Sequence, residues 1–404
     1  MTLLLSGLLF LSHFGCHASL KPLYEREKSQ TLRTATAVED ENWTPDARFR
    51  FSYDRIAEVG TKKLQTHLKN GQLTIKFLGQ EIKISTSSTL QDFSLSKGDN
   101  GNIQCTIKVE GDAVLTHPLL SFSQPYSGTV SGTISLDMNG KELTAKINQI
   151  NSVSIKFEQL PKLEMTKPIE DWINNSITNI PPFTLAELDT SLFFSRDIRF
   201  VAKNYSFDIE LLTHFPETTP LSENNQKPRG DWELAISTDT FSRIIRTKTF
   251  ALKPTPNGIY IDAKRVYFTQ DNLNIDLRLW KLGGWGQWWR DYDISTPVLI
   301  KEKDIILGEP TAKLIEKSPL AELVDPIIIL GEGYILKTIS EHIRYTLPKT
   351  HQKDISGTTL EVNIESIRGN QKSILFYGNL EPLEPDSTKK ESEETSPRRN
   401  RRSK

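Results

Sequence analysis

The sequence predicts an α+β protein in which long curved antiparallel β-sheets wrap around amphipathic helices in two tandem modules. Three observations predict it. Alternating apolar residues recur through most of the chain and mark strands with one buried and one wet face. Helical periodicity is confined to a few segments that bracket those strands. At 404 residues the chain is too long for one ordinary core and suits two domains of roughly 150 residues.

The ends are set apart by composition. Residues 2–19 hold no Asp, Glu, Lys or Arg, and their run from Leu3 to Leu11 is too short to span a bilayer. It fits the apolar part of a signal peptide over residues 1–19. Ser12-His13-Phe14-Gly15-Cys16 resembles a bacterial lipobox, with His13 where that motif has an aliphatic residue. Cleavage after Ala18 is the competing reading. The chain is therefore expected to be exported, to the cell envelope or beyond, and to begin at a lipidated Cys16 or at Ser19. Residues 20–48 are polar without period and read as a linker. Residues 381–404 carry seven Lys or Arg, six Asp or Glu and one aliphatic side chain, Leu383. Such a tail has too little to bury and is expected to be disordered. The net charge of −1 gives no global field toward nucleic acid.

The first module is expected over residues 49–182. Ser52 is a suitable N-cap for a helix whose Tyr53, Ile56, Ala57, Gly60, Leu64 and Leu68 recur at three- and four-residue steps, with Asn70-Gly71 as the stop. A meander follows, from Leu73/Ile75/Phe77 through Ile103/Cys105/Ile107/Val109 to Val153/Ile155/Phe157. Asn139-Gly140 is its most hairpin-like turn. Cys105 reads as a small buried hydrophobe in that pattern. A second helix starts near Thr166 and Pro168, presents Ile169, Trp172, Ile173, Ile177 and Ile180 on one face, and ends at Pro181-Pro182.

The second module is expected over residues 183–380. Strands at Ile198/Phe200 and from Tyr205 to Leu211 lead through a loop, Pro216 to Gly230, to Trp232/Leu234/Ile236. Ser237 or Thr238 caps a helix carrying Phe241, Ile244 and Ile245. Strands at 259–268, 273–279 and near Val298 follow. An apolar helix is expected from Pro326 to Leu347, including Ile335 and Ile339. The hairpin patterns Leu90–Val109, Ile259–Leu279 and Leu360–Leu380 echo one another and point to duplication.

Motifs for catalysis, metal and cofactors are absent. His13 and His17 belong to the export segment; the other five histidines lie far from one another without His, Cys or carboxylate partners at ligand spacing, and no nucleophile elbow or phosphate-binding glycine loop occurs. Asp291 and Asp293 read as surface salt-bridging residues. No enzyme, cofactor or metal is expected. The unusual segment runs from Trp280 to Tyr292 and holds four tryptophans, Trp280, Trp285, Trp288 and Trp289, beside Gly283, Gly284 and Gly286. It reads as a glycine-rich loop that either packs on its own domain or presents indoles, Arg290 and Tyr292 to a ligand or a membrane surface. An apolar groove is expected where Ile56, Leu64, Leu68, Ile169, Trp172, Ile173, Ile244, Ile335 and Ile339 face the sheets.

The order helix, long meander, helix, then a variant repeat resembles the tubular lipid-binding superfamily that includes bactericidal/permeability-increasing proteins. The likeness is carried by Ser52-Tyr53-Asp54-Arg55-Ile56-Ala57 through Leu68, and again by Glu233-Leu234-Ala235-Ile236-Ser237-Thr238-Asp239-Thr240-Phe241 through Ile245. Residues 360–380 also resemble bacterial envelope proteins with this fold. The paired cysteines of the animal members are missing. The resemblance implies binding or transfer of lipid or another apolar ligand in grooves that take acyl chains. A scaffolding envelope protein with protein partners and no small ligand is the alternative.

Overall fold

In this computed structural model, residues 19–34, 44–157, 166–187, 193–321 and 351–382 are described, short breaks within these stretches aside. The first 18 residues with Cys16, the charged tail from 383, Trp285, and the segment 322–350 with Ile335 and Ile339 lie outside the described residues.

The α+β class is as expected. Helix α1 (Leu20–Thr34) comes first, then strand β1 (Ala47–Ser52) and helix α2 (Tyr53–Leu68). Ser52 caps α2 by accepting the amide of Arg55 at 3.3 Å, worth about 1 kcal/mol. A six-stranded antiparallel meander follows: β2 (Asn70–Phe77), β3 (Gln80–Lys97), β4 (Ile103–His117), β5 (Leu120–Asn139), β6 (Glu142–Phe157) and β7 (Phe183–Glu187). Helix α3 (Thr166–Thr178) lies between the last two strands. The strands alternate as the sequence does. Ile103, Cys105, Ile107 and Val109 are buried, with Lys108 and Glu110 exposed between and after them.

Gly140 takes the left-handed φ of 63° that the hairpin needs. Gly71 serves differently from the expected helix stop. It is the second residue of β2, and a Cβ there would lie 2.1 Å from the Trp172 ring, so its missing side chain lets α3 approach the sheet.

Strands β8 (Ser195–Ala202) and β9 (Ser206–Thr213) follow, then β10 (Trp232–Ser237) and helix α4 (Thr238–Ala251). The second meander comprises β11 (Ile259–Thr269), β12 (Asn272–Lys281), β13 (Trp288–Lys301), β14 (Asp304–Leu307) and β15 (Thr311–Lys317). The chain ends its described part in β16 (His351–Ile355), β17 (Thr358–Gly369) and β18 (Ser373–Pro382).

A seven-stranded sheet of order β16-β17-β18-β10-β1-β9-β8 joins the two halves. Its centre has a local two-fold: Ala47 pairs Ile236, Phe49 pairs Leu234 and Phe51 pairs Trp232, so exchanging the two strands reproduces the register. The flanking bonds obey the same exchange. Ser52 N–H donates to Asp231 C=O at 2.9 Å and Ser237 N–H to Asp46 C=O at 2.8 Å. Tyr53 N–H donates to Tyr205 C=O, and Thr238 N–H to Lys372 C=O. Ser237 caps α4 as Ser52 caps α2. Strand, capped helix, meander and closing hairpin thus occur twice along the chain, in keeping with the expected duplication.

This bears on two expectations. The hairpin β8–β9 pairs with β1, so strands from both expected modules share the central sheet. The hairpin at 360–380 corresponds to β8–β9, not to the hairpins at 90–109 and 259–279, because it pairs with β10 as β9 pairs with β1.

The stretch expected as a linker contains helix α1 and the first two residues of β1. Helix α1 is mostly polar because it docks by a narrow stripe, Leu20, Leu23 and Tyr24, on residues more than 200 positions away. Local periodicity could not reveal that partner.

Candidate functional site

The interior of the first module belongs to one apolar cluster that continues through the central sheet into the second meander. Ile56, Leu64 and Leu68 of α2 and Ile169 and Ile173 of α3 are buried in it, and Trp172 packs against its edge. These six of the expected groove residues are brought together between the two helices and the curled sheet. Ile244 is not: it sits in a separate small cluster with Phe215, Phe193 and Phe194. The residues of α4 that pack toward the main core are Phe241 and Ile245.

The tryptophan segment is a strand hairpin and not a glycine-rich loop. Trp280 is the last residue but one of β12 (Asn272–Lys281) and Trp288 begins β13. The sheet sorts the side chains onto two faces. Leu279 pairs Arg290 and Leu277 pairs Tyr292, while Trp280 pairs Trp289 and Arg278 pairs Asp291.

The first set faces inward. Trp288 and Tyr292 join the main core. Arg290 is only 1% exposed, donates to the Ala321 carbonyl at 3.2 Å, and lies 5.7 Å from the centre of the Trp288 ring. A buried guanidinium stacked on an indole gains from cation–π attraction in place of water.

The second set faces outward and is covered by α1. Tyr24 of that helix is 1% exposed and meets Tyr260, Phe250 and Trp280 at 4.9, 5.7 and 5.9 Å. Burial pushes its hydroxyl pKa up to about 12. Glu27 reaches Arg246 at 2.9 Å and Arg278 at 3.9 Å. Arg278 stacks on Trp289 at 4.1 Å and grips Asp291 with two bonds. Although desolvation opposes it, the bonds from Arg278 and Lys264 hold the Asp291 carboxyl below its ordinary range. Asp291 is thus a half-buried structural acid, not a surface one. At the start of α1, the Ser19 hydroxyl and the Leu20 amide both donate to Gln287 Oε1, at 3.2 and 2.6 Å.

The central sheet carries a feature that the sequence analysis missed. Arg50 is 1% exposed and grips Asp208 at 3.0 and 3.1 Å, with Glu233 at 3.3 Å on its other side. Arg48 reaches Glu210 at 3.3 Å in the next row. Burial, as the largest effect, holds the Glu233 carboxyl above its ordinary range against the pull of Arg50. The only sequence signal was the alternation Arg48-Phe49-Arg50-Phe51, which reads as a half-wet strand until the inter-module loop covers it. The Arg48 guanidinium donates to Ser222 C=O of that loop.

Among the described residues, two open cavities stand out, and polar side chains line both. One of about 360 Å³ lies between α1 and α4, beside Arg26, Glu27, Gln30, Thr31 and Arg246. The other, about 190 Å³, lies on the outer face of the first meander beside Lys108 and Lys156. No group of His, Cys, Asp and Glu with metal-binding geometry occurs among the described residues.

No protein-family model and no curated protein matches the chain. Solved structures do. The chain is similar to a lipopolysaccharide-binding protein, at 11% identity and TM-score 0.37, over 85% of this chain and 100% of that one. It is similar to P47 of Clostridium botulinum E1, at 12% identity and TM-score 0.40, over 83% and 99%. P47 of Clostridium botulinum A2 gives 11% identity and TM-score 0.37, over 83% and 97%.

Proposed function

We propose that this chain binds lipid or another apolar ligand outside the cytoplasm and performs no catalysis. The observation that carries the reading is the duplicated pairing of a long curled sheet, apolar on its concave side, with amphipathic helices laid along it. Such a module can admit an elongated apolar molecule by parting a helix from the sheet, where apolar side-chain packing is non-directional and the directional bonds are side-chain to backbone, from Gln65 of α2 to β3 and from Ser242 of α4 to β11. The uncharged leucine run before Ser19 supports export, with Cys16 as the lipidation site or Ala18 as the last residue removed.

Native mass spectrometry of chain purified from its source tests the reading. Adducts with the mass of lipid are expected. A chain that carries no lipid and does not take up a fluorescent fatty acid overturns it.

One observation favours scaffolding instead. Leu299, Leu314 and Ile315 are 43, 38 and 59% exposed on β13 and β15, while most described inner side chains pack into one main core. Co-purification of one stoichiometric protein partner, lost on Ile315→Lys, with no lipid present, would establish that second reading.

A further inference from the structure

Three separate stretches of chain meet at one end of the second meander. Leu20 N–H is held by Gln287 in the β12–β13 turn. Ile259, which opens β11, pairs Lys281, which closes β12. The Lys281 ammonium donates to the Asn257 carbonyl of the turn that follows α4. Residues 19–24, 251–258, 281–283 and 286–287 therefore share one rim.

The composition of that rim is lopsided. It holds Lys21, Lys253 and Lys281 and no Asp or Glu, although acids make up 51 of the 404 residues. Leu252 is 40% exposed there, one of the few exposed large hydrophobic side chains described. Lys21, Lys253 and Gly286 are exposed as well.

The covalent chain adds a constraint. Cys16 precedes Ser19 by three residues, and an extended chain spans at most about 3.5 Å per residue, so Cys16 stays within roughly 10 Å of Ser19. A lipid attached at Cys16 would have to enter the bilayer beside this rim, and an uncleaved leucine run would emerge from the same place. Helix α1 makes the joint stiff: Tyr24 in its aromatic socket and Glu27 between two arginines fix the exit point to the second module, although the first module follows it directly in sequence.

We propose that this rim, marked by Lys21, Leu252, Lys253, Lys281 and Gly286, is the surface by which the protein docks on an anionic lipid bilayer. Lysines attract the anionic headgroups, and an exposed leucine between them enters the interfacial layer. The inference rests on the export reading given above, and it is independent of whether the modules hold lipid inside.

The test uses chain starting at Ser19, which keeps every described residue and lacks any acyl group. Flotation with vesicles of phosphatidylcholine and of phosphatidylcholine with phosphatidylglycerol measures docking. Binding to the anionic vesicles is expected. The Lys21→Gln/Lys253→Gln/Lys281→Gln variant should lose on the order of 100-fold, about fivefold per lysine. The Lys83→Gln/Lys146→Gln/Lys156→Gln variant, which removes equal charge from the first meander, should bind as the parent does. Equal loss in both variants, or no preference of the parent for anionic vesicles, overturns the proposal. Lipid carried inside the modules is read separately by native mass spectrometry, so failure of one reading is distinguishable from failure of the other.

Discussion

Asp46 and Asp231 each stand one residue before a central strand, and each accepts an amide of the paired closing strand, two residues beyond the last pair of that ladder. The first takes Thr213 N–H at 3.1 Å and the second takes Leu380 N–H at 2.9 Å. The two repeats have kept this bond while their side chains diverged, because an amide at that point has no ladder partner and must be satisfied. The two sites differ in depth. Asp46 is 1% exposed and also accepts the hydroxyls of Thr213 and Thr218.

From this we predict that Asp46→Ala costs about 3 kcal/mol, since it strands several buried donors of a charged acceptor. Asp231→Ala, at a half-buried site with one such bond beyond its backbone, should cost about 1–2 kcal/mol. Urea unfolding of both variants checks the order. Equal costs would mean that burial does not set the difference.

Helix α1 should be separable from the second module. Tyr24→Ala removes an aromatic side chain that is 1% exposed, and about 3 kcal/mol of docking goes with it. The expected outcome is rapid proteolysis within residues 20–34, with a red shift in tryptophan emission as Trp280 and Trp289 meet water. The rest of the chain should melt as before. Loss of the whole fold at the same temperature as α1 would show that the helix belongs to the core.

Trp288→Ala should behave as a core mutation. Its indole is 6% exposed within the main cluster and lies beside the Arg290 guanidinium. A loss of about 3–5 kcal/mol is expected by chemical denaturation. A variant that keeps its stability and loses only vesicle binding would return this residue to a docking role.

The Asp291 carboxyl gives a pH prediction. Its pKa is lower in the folded state than in the unfolded chain, so the unfolded state binds more protons as pH falls. The stability it contributes is complete above the ordinary carboxylate range and is lost as pH drops through that range and below. Asp291→Asn should therefore be less stable than the parent near neutral pH, and the gap should narrow on acidification to pH 3. Melting curves across pH 3–7 measure it. A gap that stays constant with pH would show that the loss is of shape and not of charge.

Periodicity determined much of this protein by itself. The capped helix at Ser52–Leu68, the five-strand alternation through Phe157, and the second opening at Ser237 are local patterns, and each local preference agrees with the final structure. The buried face of a strand follows from its period of two, so the apolar positions of the first module could be named in advance. Tertiary structure decided everything that depends on what lies opposite. Polar helix α1 is ordered only because an aromatic socket built from α4, β11 and β12 receives Tyr24. The segment from Trp288 to Tyr292 is a strand because β12 and β15 offer it ladder partners, and that sends Trp288 and Arg290 inward and Trp289 outward. Arg50 became a buried ion because β9 and β10 place acids on both sides of it and a loop covers the neighbouring row. A sequence records the appetite of each residue for water, but the partner that satisfies it comes from chain hundreds of residues away.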